Sequence, residues 1–258
     1  MATDRSLSVL RLFTLETPAW TVEQIARTLE VSMSTAYRYV LALEEVGLVA
    51  ASGGGYYILG PAILQLDRQI QLTDPLLLSA RPVMNRLAGY APDGSVVLLC
   101  RAFADTVLCI HQVHTKGPQS LISYERGRPM PLFLGATSRI ILAHEPTRRL
   151  KRLYERHQEQ LRSSGMADSW EQFRSQQSQL RKVGYAVSFG EIDPDRIGIA
   201  VALLGDTRQP IGSLSFVLPG SAEEAHIPIL ASVLATGSRD IATGMQSIGG
   251  DEDRRASA

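Results

Sequence analysis

Cysteine is nearly missing from this chain: two residues, Cys100 and Cys109, in 258. Two thiols cannot staple a polypeptide of this length, so the fold has to rest on a hydrophobic core, and in a reducing compartment both stay reduced. Long apolar runs are missing too. The longest, Ile197 to Leu204, is eight residues with a glycine inside it, far short of the ~20 residues of a membrane-spanning helix. Asp4 and Arg5 stand at the start, and no apolar stretch bounded by a small-residue cleavage site follows them. The sequence therefore predicts no secretory leader, no membrane partner and a cytoplasmic protein. Net charge is zero, 26 basic against 26 acidic residues, which gives no global attraction to a polyanion.

Catalytic fingerprints are also lacking. There is no Gly-x-Ser-x-Gly elbow, P-loop, Gly-x-Gly-x-x-Gly or His-Glu-x-x-His, and His144-Glu145 is followed by Pro146, which breaks the helix such a zinc site needs. No catalytic residue and no cofactor are expected. Cys100, Cys109, His111 and His114 lie close in sequence, and strand alternation places Cys109 and His111 on one face with Cys100 on a neighbouring strand. Cys-x8-Cys-x-His-x2-His is not an established zinc spacing, however, and buried thiols beside surface histidines are the simpler account, so no metal is expected.

What is present is apolar material for a core, at 45% hydrophobic and 20% charged residues, and length for two domains at ~100 to 200 residues each. Leu7, Val9, Leu10, Leu12, Phe13 and Leu15 outline an amphipathic first helix closed by Thr17-Pro18. Thr21, with Gln24 three residues on, opens a second helix in capping-box register, with Ile25, Ala26 and Leu29 as its buried face. Only Val31-Ser32-Met33 separates it from a third, which begins at Ser34 and is stopped by Gly47. Two short helices joined by so tight a turn form a helix-turn-helix. Leu48 to Ala51, Ser52 to Gly55 and Tyr56 to Gly60 then read as strand, turn and strand, a wing. This predicts a winged helix-turn-helix domain over 1–60. Pro61 and the helical recurrence of Ile63, Leu66 and Ile70 predict a linker helix over 61–73.

On the third helix Ala36, Val40 and Leu43 share one face, leaving Ser34, Thr35, Tyr37 and Arg38 on the other, near the helix N-terminus where a recognition helix meets base edges and phosphates. Arg38 suits a guanine, and the hydroxyls suit the phosphate backbone. Local charge opposes this: residues 1–73 hold five arginines, no lysine and seven acidic residues, a net −2. One such module binds DNA weakly, so several must act together. Winged helices also serve as protein-interaction modules, the reading that the local charge favours.

From Asp74 the pattern is mixed. A helix passes through Pro82, Met84 and Leu87, and strands are expected at Ser95 to Cys100, Thr106 to Val113 and Gln119 to Tyr124. Helices follow from Gly135 to His144, Arg148 to Arg162 and Asp168 to Gly184, the last with Glu171 in capping position. Strands Tyr185 to Phe189, Ile197 to Leu204 and Ile211 to Leu218 precede a final helix from Ala222 to Met245. The class is α+β, with a second domain over 74–246 and a polar, disordered tail over 247–258. Arg148, Arg149, Lys151, Arg152 and Arg156 read as the solvated face of a helix.

Several segments carry a resemblance. Leu7-Ser8-Val9-Leu10, Thr21 to Ala26, Ser34 to Arg38 and Gly55 to Gly60 resemble the N-terminal domain of the IclR family of bacterial transcription regulators. Gly127 with Pro131-Leu132, Gly135 to Ala143, Gly184 to Val187 and Ile197 to Val201 are similar to that family's effector-binding domain, in the expected order. The resemblance implies a GAF-like second domain, an antiparallel sheet flanked by helices. It further implies a homodimer or homotetramer on pseudo-palindromic double-stranded operator DNA, controlled by a small molecule, often an organic or aromatic carboxylic acid. Ser188, Gly198 and Ser215 would line the effector pocket, with Met130 and Leu132 as apolar wall.

Physical chemistry adds to the second site. At a helix starting at Gly135, the free N–H groups of Gly135 and Ala136 and the hydroxyls of Thr137 and Ser138 can hold a carboxylate, although a tight helix entry alone also accounts for the glycine. The pocket departs from the family pattern: Ser188 stands where an acidic residue is usual, Gly198 where cysteine is frequent, and Val217 at a second polar position. Less charge and less bulk favour a larger or more apolar acid over a small keto acid. Arg126 and Arg128 are candidate carboxylate partners, although surface arginine is the plainer reading of each. The alternative from another class is a winged helix fused to a small-molecule-converting enzyme or a metal-sensing domain.

Overall fold

A computed structural model describes residues 5–118, 122–164 and 166–256, and the chain divides between Asp74 and Pro75 into two units. In the first unit a 3-10 helix, Arg5–Leu12, leads to strand β1 (Trp20–Thr21), helices α1 (Val22–Thr28) and α2 (Met33–Glu45), strands β2 (Val49–Gly53) and β3 (Tyr56–Leu59), and helix α3 (Ala62–Thr73). The first helix is thus shorter and tighter than its apolar spacing predicts. Its final carbonyl, Leu12 O, accepts from the Trp20 indole N–H at 2.9 Å, a side chain replacing the next turn of helix.

Thr21 caps α1 with a complete capping box. Its hydroxyl accepts from Gln24 N–H at 3.2 Å, and the Gln24 side chain accepts from Thr21 N–H at 2.8 Å. α2 starts one residue earlier than expected, because the Ser32 hydroxyl accepts from Thr35 N–H at 3.2 Å and so makes Ser32 the cap. Val9, Ile25, Ala26, Ala36, Val40, Leu43 and Val49 close one core. The β2–β3 hairpin turns at Gly54 and Gly55, whose φ of 60° and 78° suit the two-residue turn that matches strand twist. β1 adds a third strand through Trp20↔Tyr57 and Thr21↔Tyr56, and two residues are too few to show a period in the sequence. α3 buries none of its own residues, and Leu64, Leu66, Ile70 and Leu72 lie exposed along it.

The second unit comprises α4 (Pro75–Leu87), β4 (Val96–Phe103), β5 (Thr106–His114), β6 (Pro129–Pro131), α5 (Gly135–Ala143), α6 (Thr147–Arg156), α7 (Gln158–Ser163), α8 (Trp170–Val183), β7 (Ala186–Phe189), β8 (Arg196–Leu204), β9 (Pro210–Pro219) and α9 (Ile227–Ala256). The strands form one antiparallel sheet in the order β6-β5-β4-β9-β8-β7. Alternation assigns the faces. Val97, Leu99, Ile197, Ile199, Val201, Leu203, Leu214, Phe216 and Leu218 pack with residues of α4 and α9, while Val96, Leu98, Cys100 and Val217 pack with residues of α5, α6 and α8. Among the described residues no helix is long and apolar enough to cross a membrane.

Five expectations need correction. Of the strand expected at Gln119 to Tyr124, residues 119–121 lie outside the described residues and 122–124 are not in a strand. The outer strand is β6 instead, whose Pro129 and Pro131 suit only a sheet edge. The helix expected from Arg148 to Arg162 breaks at His157 (φ −118°, ψ 23°), whose ring turns edge-on to Phe133 at 5.2 Å. The cap of α8 is Ser169, whose hydroxyl accepts from Gln172 N–H at 3.1 Å, so the Asp168 and Glu171 register is one residue early. Finally, α9 begins at Ile227 and continues to Ala256 where a disordered tail over 247–258 was expected; residues 257–258 are outside the description. Extending an existing helix fixes one residue per hydrogen bond, with no new nucleus to form.

The fifth concerns the thiols. A bulge between Leu99 and Cys100 pairs Cys100 with Cys109 but Leu99 with His111. Cys109 therefore joins Cys100 in one core, while His111 falls on the face of Leu99, so the extra residue separates groups that strict alternation puts together. Burial, followed by the neighbouring Cys109, pushes the Cys100 thiol well up. Among the described residues no group of three His, Cys, Asp or Glu is arranged to hold a metal ion.

Candidate functional site

Two surfaces carry the sequence's candidate residues. On α2, Ala36, Val40 and Leu43 turn into the core, which leaves Ser34, Tyr37 and Arg38 exposed and Thr35 half-buried at the first two turns. The Ser32 hydroxyl lies 3.1 Å from Ser34 Oγ and 2.9 Å from Thr35 Oγ1. Three hydroxyls thus cluster at a helix N-terminus, where the dipole and free N–H groups favour a phosphate. Ser32 was not among the expected residues, although a serine just before a helical run is itself a capping signal.

The second surface forms around the start of α5. Leu134 is extended (φ −115°, ψ 145°), and Gly135, at φ 77°, turns the chain into the helix, a conformation that strains any residue with a side chain. α5 lies over β7, β8 and β9, and its first turn meets a cavity lined by Tyr124, Gly135, Ala136, Thr137, Ser188, Glu191, Ile192, Asp193, Arg196, Gly198 and Val217.

Its polar groups are largely engaged. Gly135 N–H donates to Glu191 Oε2 at 3.0 Å, and Ala136 N–H donates to the Ser188 hydroxyl at 3.1 Å. Arg139 pairs with Glu191 Oε1 at 2.9 Å. Thr137 and Ser215 share a hydroxyl hydrogen bond at 3.1 Å, and Tyr124 and Ser138 another at 3.0 Å. Burial pushes the Tyr124 phenol up, although its bond to Ser138 opposes this, so the ring stays neutral. Asp193 accepts from Ser123 N–H at 3.0 Å and from its hydroxyl at 2.6 Å. Arg196 is 6% exposed; Nη1 donates to Gly94 O at 2.8 Å, while Nε has no partner. The space left is about 30 Å³, room for one or two waters.

Of the expected effector residues, Gly135, Ala136, Ser188 and Gly198 come together on this cavity. Ser215 lies just beneath it, bonded to Thr137. Met130 and Leu132 do not reach it: Met130 points inward from β6, opposite Val107, and both side chains belong to the hydrophobic core. Arg126 and Arg128 are exposed, and Arg126 Nε donates to Ile110 O at 3.2 Å. The arginine that lines the cavity is Arg196, and Arg139 meets it through its ion pair with Glu191. Of the basic run on α6, Arg149 and Arg156 bind the β4–β5 turn through Ala104 O and Asp105, and Arg148, Lys151 and Arg152 are exposed.

A family model described as the bacterial transcriptional regulator IclR C-terminal domain matches residues 73–243, which include every residue of the cavity. The IclR helix-turn-helix domain matches residues 2–53, which include α2. The chain belongs to the IclR family. Among its relatives, the HTH-type transcriptional regulator KipR of Bacillus subtilis is 26% identical over 212 residues, covering 82% of this chain and 83% of that protein. The Pca regulon regulatory protein of Pseudomonas putida is 23% identical over 243 residues, 92% of this chain and 81% of that protein. An IclR homolog from Microbacterium hydrocarbonoxydans, solved in complex with 4-hydroxybenzoate, has the same fold. Its TM-score is 0.72 at 21% identity, over 94% of this chain and 98% of that one. An IclR regulator from Alicyclobacillus acidocaldarius superposes with a TM-score of 0.73 at 20% identity, over 94% and 99% of the two chains. This chain is accordingly a transcriptional regulator of IclR type, with a DNA-binding helix-turn-helix domain and the family's C-terminal domain.

Proposed function

We propose that this regulator binds operator DNA through Ser34, Thr35, Tyr37 and Arg38 of α2, and that a small carboxylic acid with an aromatic or otherwise apolar body controls the binding. The observation that carries the effector reading is the convergence of the Gly135 and Ala136 N–H groups, the Ser188 hydroxyl and the buried Arg196 guanidinium on one cavity. Helix-terminal N–H groups and a guanidinium are what a carboxylate asks for. The 4-hydroxybenzoate in the related Microbacterium hydrocarbonoxydans protein supports an aromatic acid. The chain acts by sensing and not by catalysis, in the cytoplasm with the DNA.

The DNA-bound form is a homodimer or homotetramer. The net −2 of residues 1–73 gives one reading head little phosphate attraction, so affinity requires two or more, and the exposed Leu64, Leu66, Ile70 and Leu72 of α3 offer apolar area for self-association. Footprinting on the protein's own upstream DNA, with and without 4-hydroxybenzoate and benzoate, tests the reading. A protected pseudo-palindrome whose occupancy changes with acid supports it. Turnover of the acid, or no sequence-specific footprint, refutes it.

A further inference from the structure

The residues of the cavity suit an acid, yet about 30 Å³ cannot hold one, and the side chain that fills the carboxylate's place is Glu191. The β7–β8 connection, residues 190–195, brings it back to the start of α5. One oxygen of Glu191 accepts from Gly135 N–H at 3.0 Å and the other pairs with Arg139 at 2.9 Å. A bound carboxylate would be held the same way, by a helix-terminal N–H and a guanidinium together. The next residue closes the space: Ile192 Cγ1 lies 3.2 Å from the point where a Cβ on Gly135 would sit. Asp193 clips the same segment to Ser123.

An independent observation points to a missing anion. Arg196 lies on the same wall at 6% exposure, with Nε unpartnered and, among the described residues, no carboxylate within ion-pair distance. A buried guanidinium without a paired counterion is costly, and the two carboxylates of the wall are engaged elsewhere, Glu191 by Gly135 and Arg139 and Asp193 by Ser123, so Arg196 is left with room for an anion.

We infer that Glu191 is a resident stand-in for the effector's carboxylate, and that an acid binds by exchange with it. The acid takes over Gly135 N–H and the Arg139 guanidinium while residues 190–195 leave the cavity. This deepens the acid-sensor reading above and rests on it. Arg139 becomes an effector-binding residue, and Arg196 draws the incoming anion to the wall. Exchange lowers the apparent affinity, because only the fraction of molecules with Glu191 out is competent to bind. It also selects charge, since a neutral amide forms weaker bonds to the same groups than the carboxylate it must displace.

The test is calorimetry of the full chain with benzoate and with the neutral isostere benzamide, on the parent protein, Glu191→Gln and Glu191→Ala, each checked for an intact melt. Benzoate is expected to bind both variants about ten-fold or more tightly than the parent, and benzamide, weaker than benzoate in every case, to gain by a similar factor, because the closed fraction lowers the apparent affinity of both ligands alike. In the parent, benzoate should also speed amide hydrogen exchange over residues 190–195. Benzoate binding to the variants alone supports the exchange in its strongest form. Equal or weaker benzoate binding by both variants overturns the exchange and leaves the acid-sensor reading standing. Benzoate binding to none of the three proteins overturns both.

Discussion

Ser188 and Gly198 face each other across β7 and β8, and the missing side chain at Gly198 is what lets the Ser188 hydroxyl reach the Ala136 N–H. A Cβ at Gly198 would lie 2.6 Å from Ser188 Oγ and 3.4 Å from the Ala136 Cβ. Gly198→Ala is therefore expected to push Ser188 out of its rotamer and orphan a buried N–H at the α5 start, at a cost of ~1 to 3 kcal/mol. Ser188→Ala orphans the same N–H. The double variant should then cost about as much as either single one, and thermal melts of all three check this; additive losses would mean that two separate interactions were removed.

Much of this site was legible in the sequence, and the rest was hidden for physical reasons. A glycine before Ala-Thr-Ser at a helix start signals both a positive φ and free N–H groups, and Gly135 supplies both. Thr21 with Gln24, and Gly184 after α8, mark helix ends in the same local way. Arg196 was within reach: it alternates with Gly198, Ala200 and Ala202 along β8, all on the face turned toward α5. A charged residue before an apolar run reads as the point where the run begins, so the strand was started at Ile197 and Arg196 fell outside it. Glu191 carries no such signal. A loop carboxylate is ordinarily solvated, and only the fold of the β7–β8 connection brings this one, 56 residues on in sequence, to Gly135. The bulge that separates His111 from Cys109 is equally silent, because one extra residue leaves the composition of a strand unchanged.

Arg38 is exposed on the outer face of α2, away from the buried Ala36, Val40 and Leu43, and carries the only positive charge among Ser34, Thr35, Tyr37 and Arg38. Arg38→Ala should leave the melt and the oligomeric state unchanged while removing ~1 to 3 kcal/mol of specific binding per half-site, felt twice by a dimer. Gel-shift titrations at fixed salt, against specific and scrambled DNA, separate the two effects. Undiminished discrimination between the two DNAs would move base reading off this helix.

Gly135→Val tests the α5 start from another side. At φ 77° a β-branched residue is strained, and its Cβ would lie 3.2 Å from Ile192 Cγ1 and 3.3 Å from the Tyr124 hydroxyl. The variant should lose benzoate binding and several degrees of melting temperature, yet keep operator binding without ligand, because α2 belongs to the other unit. Gly135→Ala keeps most of the strain with less bulk and should fall between. Benzoate bound by Gly135→Val as tightly as by the parent would place the effector elsewhere.

The last prediction concerns pH. His144 ends α5, with Nδ1 3.0 Å from Ile140 O. A helix C-terminus favours imidazolium, but here burial wins: it holds the His144 pKa below the usual value near 6.5, the Ile140 carbonyl opposing and Arg181 adding to the depression. Burial, then Arg81 and Arg126, lower His111 as well. For both rings the unfolded chain takes up its proton first. Their contribution to stability is therefore full above about pH 6.5 and is lost as pH falls through the lower, folded values. Glu145 works in the opposite sense, because burial raises its pKa against the pull of Arg149, so the folded form gains relative to the unfolded as pH falls toward the carboxylate range. Urea midpoints measured from pH 8 to pH 5.5 should thus decline below about 6.5 in the parent. His144→Gln should flatten that decline, and Glu145→Gln, which removes the opposing group, should steepen it. A His144→Gln profile parallel to the parent's would show that this ring is not held neutral by the fold.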